Sequence, residues 1–140
     1  MEIYILNIKC VDGAYWEEEF SWVVELPSNT TLAELHDHIL TATFFDDDHL
    51  AAFFTARNYY ARKRVWLIDP ERDTGWETPL SKVFPVPTGH RLFYLFDFGD
   101  NWLFSIGKRA KTKKPVPDEH YPNVIREKGV IPTQYPEYEF

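Results

Sequence analysis

The sequence predicts an α+β fold, in which one main helix packs on a mostly antiparallel sheet. Several short segments alternate between apolar and polar residues, a pattern typical of strands that bury one face. Residues 31–43 instead have apolar side chains at helical spacing. Because strands do not alternate regularly with helices, the order of elements favours α+β over α/β. A chain of 140 residues fits one domain, which we expect to span residues 1–140.

The first two predicted strands form an antiparallel pair. Residues 2–11 alternate imperfectly between apolar and polar positions, and residues 20–26 alternate more cleanly. Asp12 and Gly13 mark a turn region between the two segments, and Asp-Gly is a frequent turn pair in hairpins. We therefore expect the two strands to lie side by side in opposite directions.

The main helix is predicted to begin at a capping box. Thr31 and Glu34 have the spacing at which the two side chains accept hydrogen bonds from early amides of the helix. Asp46, Asp47 and Asp48 follow, and carboxylates oppose the negative C-terminal end of a helix. The helix is therefore expected to end before them, near residue 43.

The remaining elements outside the hairpin are predicted to be short. Residues 50–54 and 65–68 have the composition of strands, whereas residues 80–84 fit one helical turn or an irregular connection. From about residue 115 the chain is interrupted by prolines, and we expect this tail to lie on the surface. Within it, residues 124–128 are predicted to form one helical turn.

A hairpin is predicted around the segment Asp97–Trp102, which separates the apolar runs 92–96 and 103–106. The first run is apolar at every position, which indicates a central strand covered on both faces. Asp97 and Asp100 could act as oxygen ligands or as an acid and base pair. Turn chemistry, in which an Asp side chain accepts bonds from nearby amides, is the favoured interpretation.

Histidines near the helix are a second group of candidate site residues. His36 and His38 point about 200° apart on a helix, so they cannot bind one ion together. We expect one to face inward and the other outward, with His36 bordering the buried stripe. Asp47 and His49 belong to an acidic cluster that could bind a divalent cation, although a solvated connection is the favoured interpretation.

Charge argues against a general nucleic-acid binder without excluding a local basic patch, and the cysteine content excludes two kinds of site. The formal net charge is −7, whereas a general nucleic-acid binder is usually basic. The best candidate for nucleic-acid contact is a loop with five basic residues: Lys108, Arg109, Lys111, Lys113 and Lys114. The single Cys10 excludes an intramolecular disulfide and a cysteine-rich zinc site. No nucleophile motif, P-loop or dinucleotide-binding motif is present.

Several motifs together resemble one family. They are Thr31–Leu40, Phe45–Leu50, Leu95–Trp102, Tyr121–Pro122 and Gly129–Pro132. In this order they are similar to the plasmid pRi ORF-three-like family, also described as TnpR-like passenger proteins of transposable elements. The resemblance covers most of the chain. It implies an α+β fold with a helix on an antiparallel sheet, a link to mobile elements by genomic association, and no established activity.

The resemblance also identifies positions at which this chain matches the family pattern and positions at which it differs. The matching positions are His36, Asp47, His49, Leu50, Asp97, Gly99, Asp100 and Trp102. Phe104 stands where the family often has His, and the family's acidic ending is replaced by Pro132–Tyr135. Loss of these polar groups weakens a catalytic or metal-binding interpretation. The chain also lacks the arginine clusters and the nucleophile that recombination would need.

The leading hypothesis is a non-enzymatic module that binds another macromolecule or serves in an assembly. His36, Asp47, His49, Asp97 and Asp100 would then form a polar cluster that holds the fold. The alternatives are a metal-binding protein or metal-dependent enzyme that uses this cluster, and nucleic-acid binding through the basic loop. The sequence identifies no cofactor and no particular partner. Because no signal peptide or membrane-spanning run is visible, we expect a cytoplasmic protein with no membrane contact.

Overall fold

The computed structural model describes residues 1–137, and its centre is a seven-stranded antiparallel sheet. The strands are β1 (Ile3–Asp12), β2 (Phe20–Pro27), β3 (Ala51–Ala56), β4 (Val65–Trp66), β5 (Arg91–Phe96), β6 (Trp102–Lys108) and β7 (Asn123–Lys128). Their order across the sheet is β4-β3-β5-β6-β1-β2-β7. The helices are α1 (Leu32–Thr43) and α2 (Leu80–Val83). The predicted antiparallel sheet is confirmed, and the architecture is mostly β with little helix.

The predicted first strand pair and the predicted start of the main helix are confirmed. β1 and β2 pair in antiparallel fashion from Ile3 opposite Pro27 to Cys10 opposite Phe20. The Thr31 side chain accepts a hydrogen bond from the Glu34 amide, and the Glu34 side chain accepts one from the Thr31 amide. These bonds satisfy amides that the first turn of α1 leaves free.

Beyond residue 60, the prediction for residues 124–128 is wrong, and the prediction for residues 65–68 is confirmed only in part. Residues 124–128 are not a helical turn, because β7 pairs with β2 along its length. The strand predicted over 65–68 is only the two-residue β4. Both differences arise from long-range pairing, which short windows of sequence do not contain. The last part of the predicted surface tail, residues 138–140, lies outside the described residues.

The two faces of the sheet are covered differently. One face carries α1 and the main core, which includes the fully buried side chains of Trp22, Trp102 and Phe104. The other face has a small apolar cluster that the loop 57–64 partly covers; there the Arg64 guanidinium lies 4.2 Å from the centre of the Phe54 ring. Neither helix in residues 1–137 is long and apolar enough to cross a membrane.

Candidate functional site

The first polar cluster joins α1 to β5 at the end of the helix-covered face. His36 Nδ1 is hydrogen-bonded to the Tyr94 hydroxyl, and His36 Nε2 lies 3.2 Å from Asp47 Oδ2. Burial raises the pKa of Tyr94, so the phenol keeps its proton and its O–H can donate a hydrogen bond to Nδ1. Nε2–H then donates to Asp47, and a neutral imidazole satisfies both contacts.

The second cluster is built on the β5–β6 turn. Asp97 has a left-handed backbone with φ of 63°, and its Oδ1 accepts hydrogen bonds from the amides of Gly99 and Asp100. Its Oδ2 lies 3.3 Å from His49 Nε2, although the side chain is only 7 % exposed. The geometry therefore combines the expected turn chemistry with a side-chain contact to the loop before β3.

Residues near the C-terminus cover this second cluster. The Tyr135 hydroxyl donates to Asp48 Oδ2 at 2.8 Å and lies 2.8 Å from His49 Nε2. The Gln134 side chain accepts a hydrogen bond from the Asp46 amide and donates one to the Asp46 carbonyl. These contacts between residues more than 80 positions apart were absent from the sequence-based expectations, because no local pattern links the tail to the 46–49 loop.

The structure places the predicted residues in two adjacent clusters around the Phe96 ring. The ring centroids of His36 and His49 lie 6.4 and 6.3 Å from that of Phe96. His36 is joined with Asp47, whereas His49 is joined with Asp97. Most of the imidazole and carboxylate groups that could bind a metal or transfer a proton thus have partners within the chain.

His38 is a buried residue that the sequence placed incorrectly. The Trp22 indole N–H donates to His38 Nε2 at 2.9 Å, and burial lowers the pKa of His38 to about 4. The expectation that one of the two helix histidines faces outward is wrong, because His36 contacts β5 while His38 contacts β2. Each side of α1 thus contacts a bulky aromatic residue, Tyr94 of β5 or Trp22 of β2. The strands β6 and β1 lie between β5 and β2 in the sheet.

A cation could reach one part of the first cluster. One ligand atom from each of His36, Asp37 and Asp47 lies within 4.8 Å of the others. His36 is mostly buried, and the two carboxylates are exposed. A mixed set of imidazole nitrogen and carboxylate oxygen suits a transition metal more than calcium. His49 and Asp97 take no part in this group.

Cys10 is poorly suited to nucleophilic chemistry. The thiol is buried in β1, and burial raises its pKa to about 12. Because the thiolate is the reactive form, this group is inert at neutral pH. The absence of a nucleophile motif in the sequence agrees with this position.

Two side chains of the predicted basic loop are engaged within the chain. The Lys108 ammonium lies 4.6 Å from the centre of the Tyr4 ring and donates to the Arg109 carbonyl. The Lys113 ammonium forms an ion pair with Glu25, which raises the pKa of Lys113. The charge of the loop is therefore partly used to hold the ends of β1 and β2.

The uncovered part of the second sheet face carries a different set of basic residues. Cross-strand partners share a face, so the register defines two rows across the sheet. The first row is Phe93, Ser105, Lys9, Ser21 and Lys128. The second row is Gly107, Asn7, Val23 and Arg126. Arg91 lies on the same face, opposite Ala56 of the small apolar cluster.

A groove of about 850 Å³ lies along these rows. Its lining includes Lys9, Arg91, Arg126 and Lys128, and it reaches the ring of Phe84. Among the described residues, Glu2 is the one acidic side chain in that lining. This face, defined here as the open face, is therefore positively charged although the whole chain is acidic.

Comparison with known proteins supports the fold and the family. The chain is similar to a protein of unknown function, MM3350 from Methanosarcina mazei Go1, whose crystal structure it matches with a TM-score of 0.71 and 23 % sequence identity. The match covers 90 % of this chain and 69 % of that chain. At this identity the similarity shows the fold alone. No curated protein matches the chain.

The resemblance carried by the helix and hairpin motifs agrees with a match between residues 14–134 and the family model described as plasmid pRiA4b ORF-3-like protein. Neither comparison points to a specific enzyme activity. Because the family model matches most of the sequence, this chain belongs to the plasmid pRiA4b ORF-3-like protein family.

Proposed function

We propose that this protein is a non-enzymatic binding module for a macromolecular partner, with residues 1–140 forming one domain. The observation that carries the proposal is the contrast between the two sheet faces. Polar groups at the end of the helix-covered face are bonded to one another, whereas the open face presents cations that are exposed in the described part of the chain. A satisfied polar network stabilises a fold, and an uncovered charged face can bind a partner.

The two polar clusters have a structural role in this proposal. Asp97 links the β5–β6 turn to His49, and Tyr135 links His49 and Asp48 to the C-terminal segment. Removal of His49 would leave Asp97 Oδ2 without the imidazole nitrogen that lies 3.3 Å away, in a side chain that is only 7 % exposed. Such a loss costs about 1–3 kcal/mol when the remaining group is buried.

Metal analysis and thermal unfolding test this role together. We expect purified protein to hold no metal at unit stoichiometry, and His49→Ala to lower the melting temperature by several degrees. The control is His120→Ala, which removes an exposed imidazole and should leave the melting temperature unchanged. One bound metal per chain, or an unchanged melting temperature in His49→Ala, would contradict the proposal.

A second candidate function is metal binding at His36, Asp37 and Asp47, whose ligand atoms lie within 4.8 Å of one another. Calorimetric titration with Zn²⁺ and Mn²⁺ tests it directly. Metal binding predicts a one-to-one isotherm that Asp47→Asn abolishes and that the neighbouring control Asp46→Asn retains. A flat titration with the wild-type protein rejects this candidate and supports the non-enzymatic module.

The proposal extends to cellular context. The family description names a plasmid reading frame, which supports an association with mobile genetic elements. The same proposal includes a cytoplasmic location. It also includes a TnpR-like relationship to passenger proteins of transposable elements. Fluorescence microscopy of a tagged chain in its host would test the location.

A further inference from the structure

We infer that the open face binds the backbone of a single-stranded nucleic acid; this inference rests on the proposed binding function and names its partner. The first support is the concentration of charge. Lys9, Arg91, Arg126 and Lys128 line one groove, and Glu2 is the one acidic residue among its described lining. Lys9 has an ion pair with Glu19 at 3.6 Å, but both side chains are about half exposed and the contact is weak.

The second support is the hydrogen-bonding chemistry of the face. Ser21, Ser105 and Asn7 share the two rows with the cations and can donate hydrogen bonds. Phosphate oxygens accept hydrogen bonds, and Arg126 can bind them in bidentate fashion. At Gly107 a Cβ would meet nothing within 4 Å, so a backbone can approach the sheet closely at this position.

The third support is a pair of exposed tyrosine rings on the loop 57–64, which packs on the apolar cluster of this face. The loop 57–64 covers the small apolar cluster beside the rows and exposes the Tyr59 and Tyr60 rings, Tyr60 being 72 % exposed. Single strands bind where cations follow the backbone and aromatic rings stack with the bases. The first row crosses five strands from β5 to β7, or about 19 Å at the usual strand spacing, which accommodates several nucleotides.

An acidic polypeptide fits the face less well. Extended peptides commonly add to a free sheet edge, or insert apolar side chains into pockets. The strands β6, β1 and β2 lie inside the sheet, and their backbone groups are paired on both sides. An acidic peptide on this face would therefore gain charge contacts and side-chain hydrogen bonds, whereas a single strand would gain these and also stack its bases on exposed aromatic rings.

Fluorescence anisotropy with labelled 20-nucleotide oligo-dT and oligo-U tests the inference in about 50 mM salt. We expect Arg126→Ala/Lys128→Ala to weaken binding at least tenfold. The matched control, Lys111→Ala/Lys114→Ala, removes the same charge from the exposed basic loop and should change affinity less than twofold. The lost contacts should also reduce the slope of log affinity against log salt by about 1.4, since each phosphate contact on a single strand contributes about 0.7.

A Tyr60 variant and two other ligands distinguish a single-stranded nucleic acid from other partners. Tyr60→Ala should weaken oligonucleotide binding several-fold without a change in melting temperature, because its ring is exposed. No binding of either oligonucleotide at low salt, or an equal loss in both double variants, would overturn the inference. Tighter binding of a 20-residue polyglutamate peptide, or of a 20-base-pair duplex, would also overturn it. None of these failures affects the metal and unfolding tests of His49, so the two proposals fail separately.

Discussion

Protonation of His38 should make the unfolding free energy of this protein depend on pH. The imidazole is 8 % exposed, and its Nε2 accepts a hydrogen bond from the Trp22 indole. An imidazolium could not accept that bond and would be desolvated at the same time. Burial accordingly lowers the pKa of His38 from 6.5 to about 4 in the folded state.

The direction of the pH effect follows from the two pKa values. As the pH falls below 6.5, the unfolded chain takes up a proton at this position while the folded chain does not. The contribution of neutral His38 is therefore complete above pH 6.5 and is lost progressively as the pH falls to about 4. At about 1.4 kcal/mol per pKa unit, the full loss is about 3 kcal/mol.

Urea unfolding of the wild type and His38→Gln at pH 7.5 and 4.5 measures this contribution. Glutamine can still accept the Trp22 bond and does not titrate, so carboxylate effects common to both proteins cancel. The wild type should lose about 2–3 kcal/mol more than the variant between these pH values. The exposed control His120→Gln should follow the wild type. Parallel pH profiles of the wild type and His38→Gln would refute the reasoning.

Three further predictions concern stability and reactivity. In chemical unfolding, Asp97→Asn should lower the unfolding free energy by more than about 1 kcal/mol. The control Asp100→Asn should change it by less than about 0.5 kcal/mol, because Asp100 contributes its backbone amide to the same turn. Gly13→Ala should cost about 1–3 kcal/mol, because a Cβ would lie 2.3 Å from a buried indole ring, whereas Gly107→Ala should be tolerated. The Cys10 thiol should react with a disulfide reagent only after urea unfolds the chain, since burial raises its pKa to about 12; reaction in the native state would contradict its placement.

Local sequence signals predicted the parts of the fold that local interactions determine. The capping box of Thr31 and Glu34 identified the start of α1 because both partners lie within one helical turn. Alternation identified β1 and β2 because each buries one face against the core. Residues 124–128 were assigned incorrectly because they are mostly exposed, and an edge strand of this kind is defined by pairing with β2 alone.

The candidate site was predictable only in outline. The Asp97 turn follows from chemistry within three residues, so the sequence contained its signal. The contacts of Tyr135 with His49 and Asp48 join distant segments, and nothing near Tyr135 in the sequence indicates them. Helical geometry correctly predicted that His36 and His38 point in different directions from α1. It could not show that large aromatic residues contact the helix on both of those sides.

The error at residues 124–128 also concealed the open face. In a single helical turn, Arg126 and Lys128 would point in different directions, because residues two apart lie on different sides of a helix. In β7 the same two residues share one face, since the side-chain period of a strand is two. The register then aligns Arg126 with Val23 and Lys128 with Ser21 of β2, and Lys128 thereby shares a row with Lys9. A basic surface on an acidic protein therefore becomes visible only when the pairing of its edge strand is known.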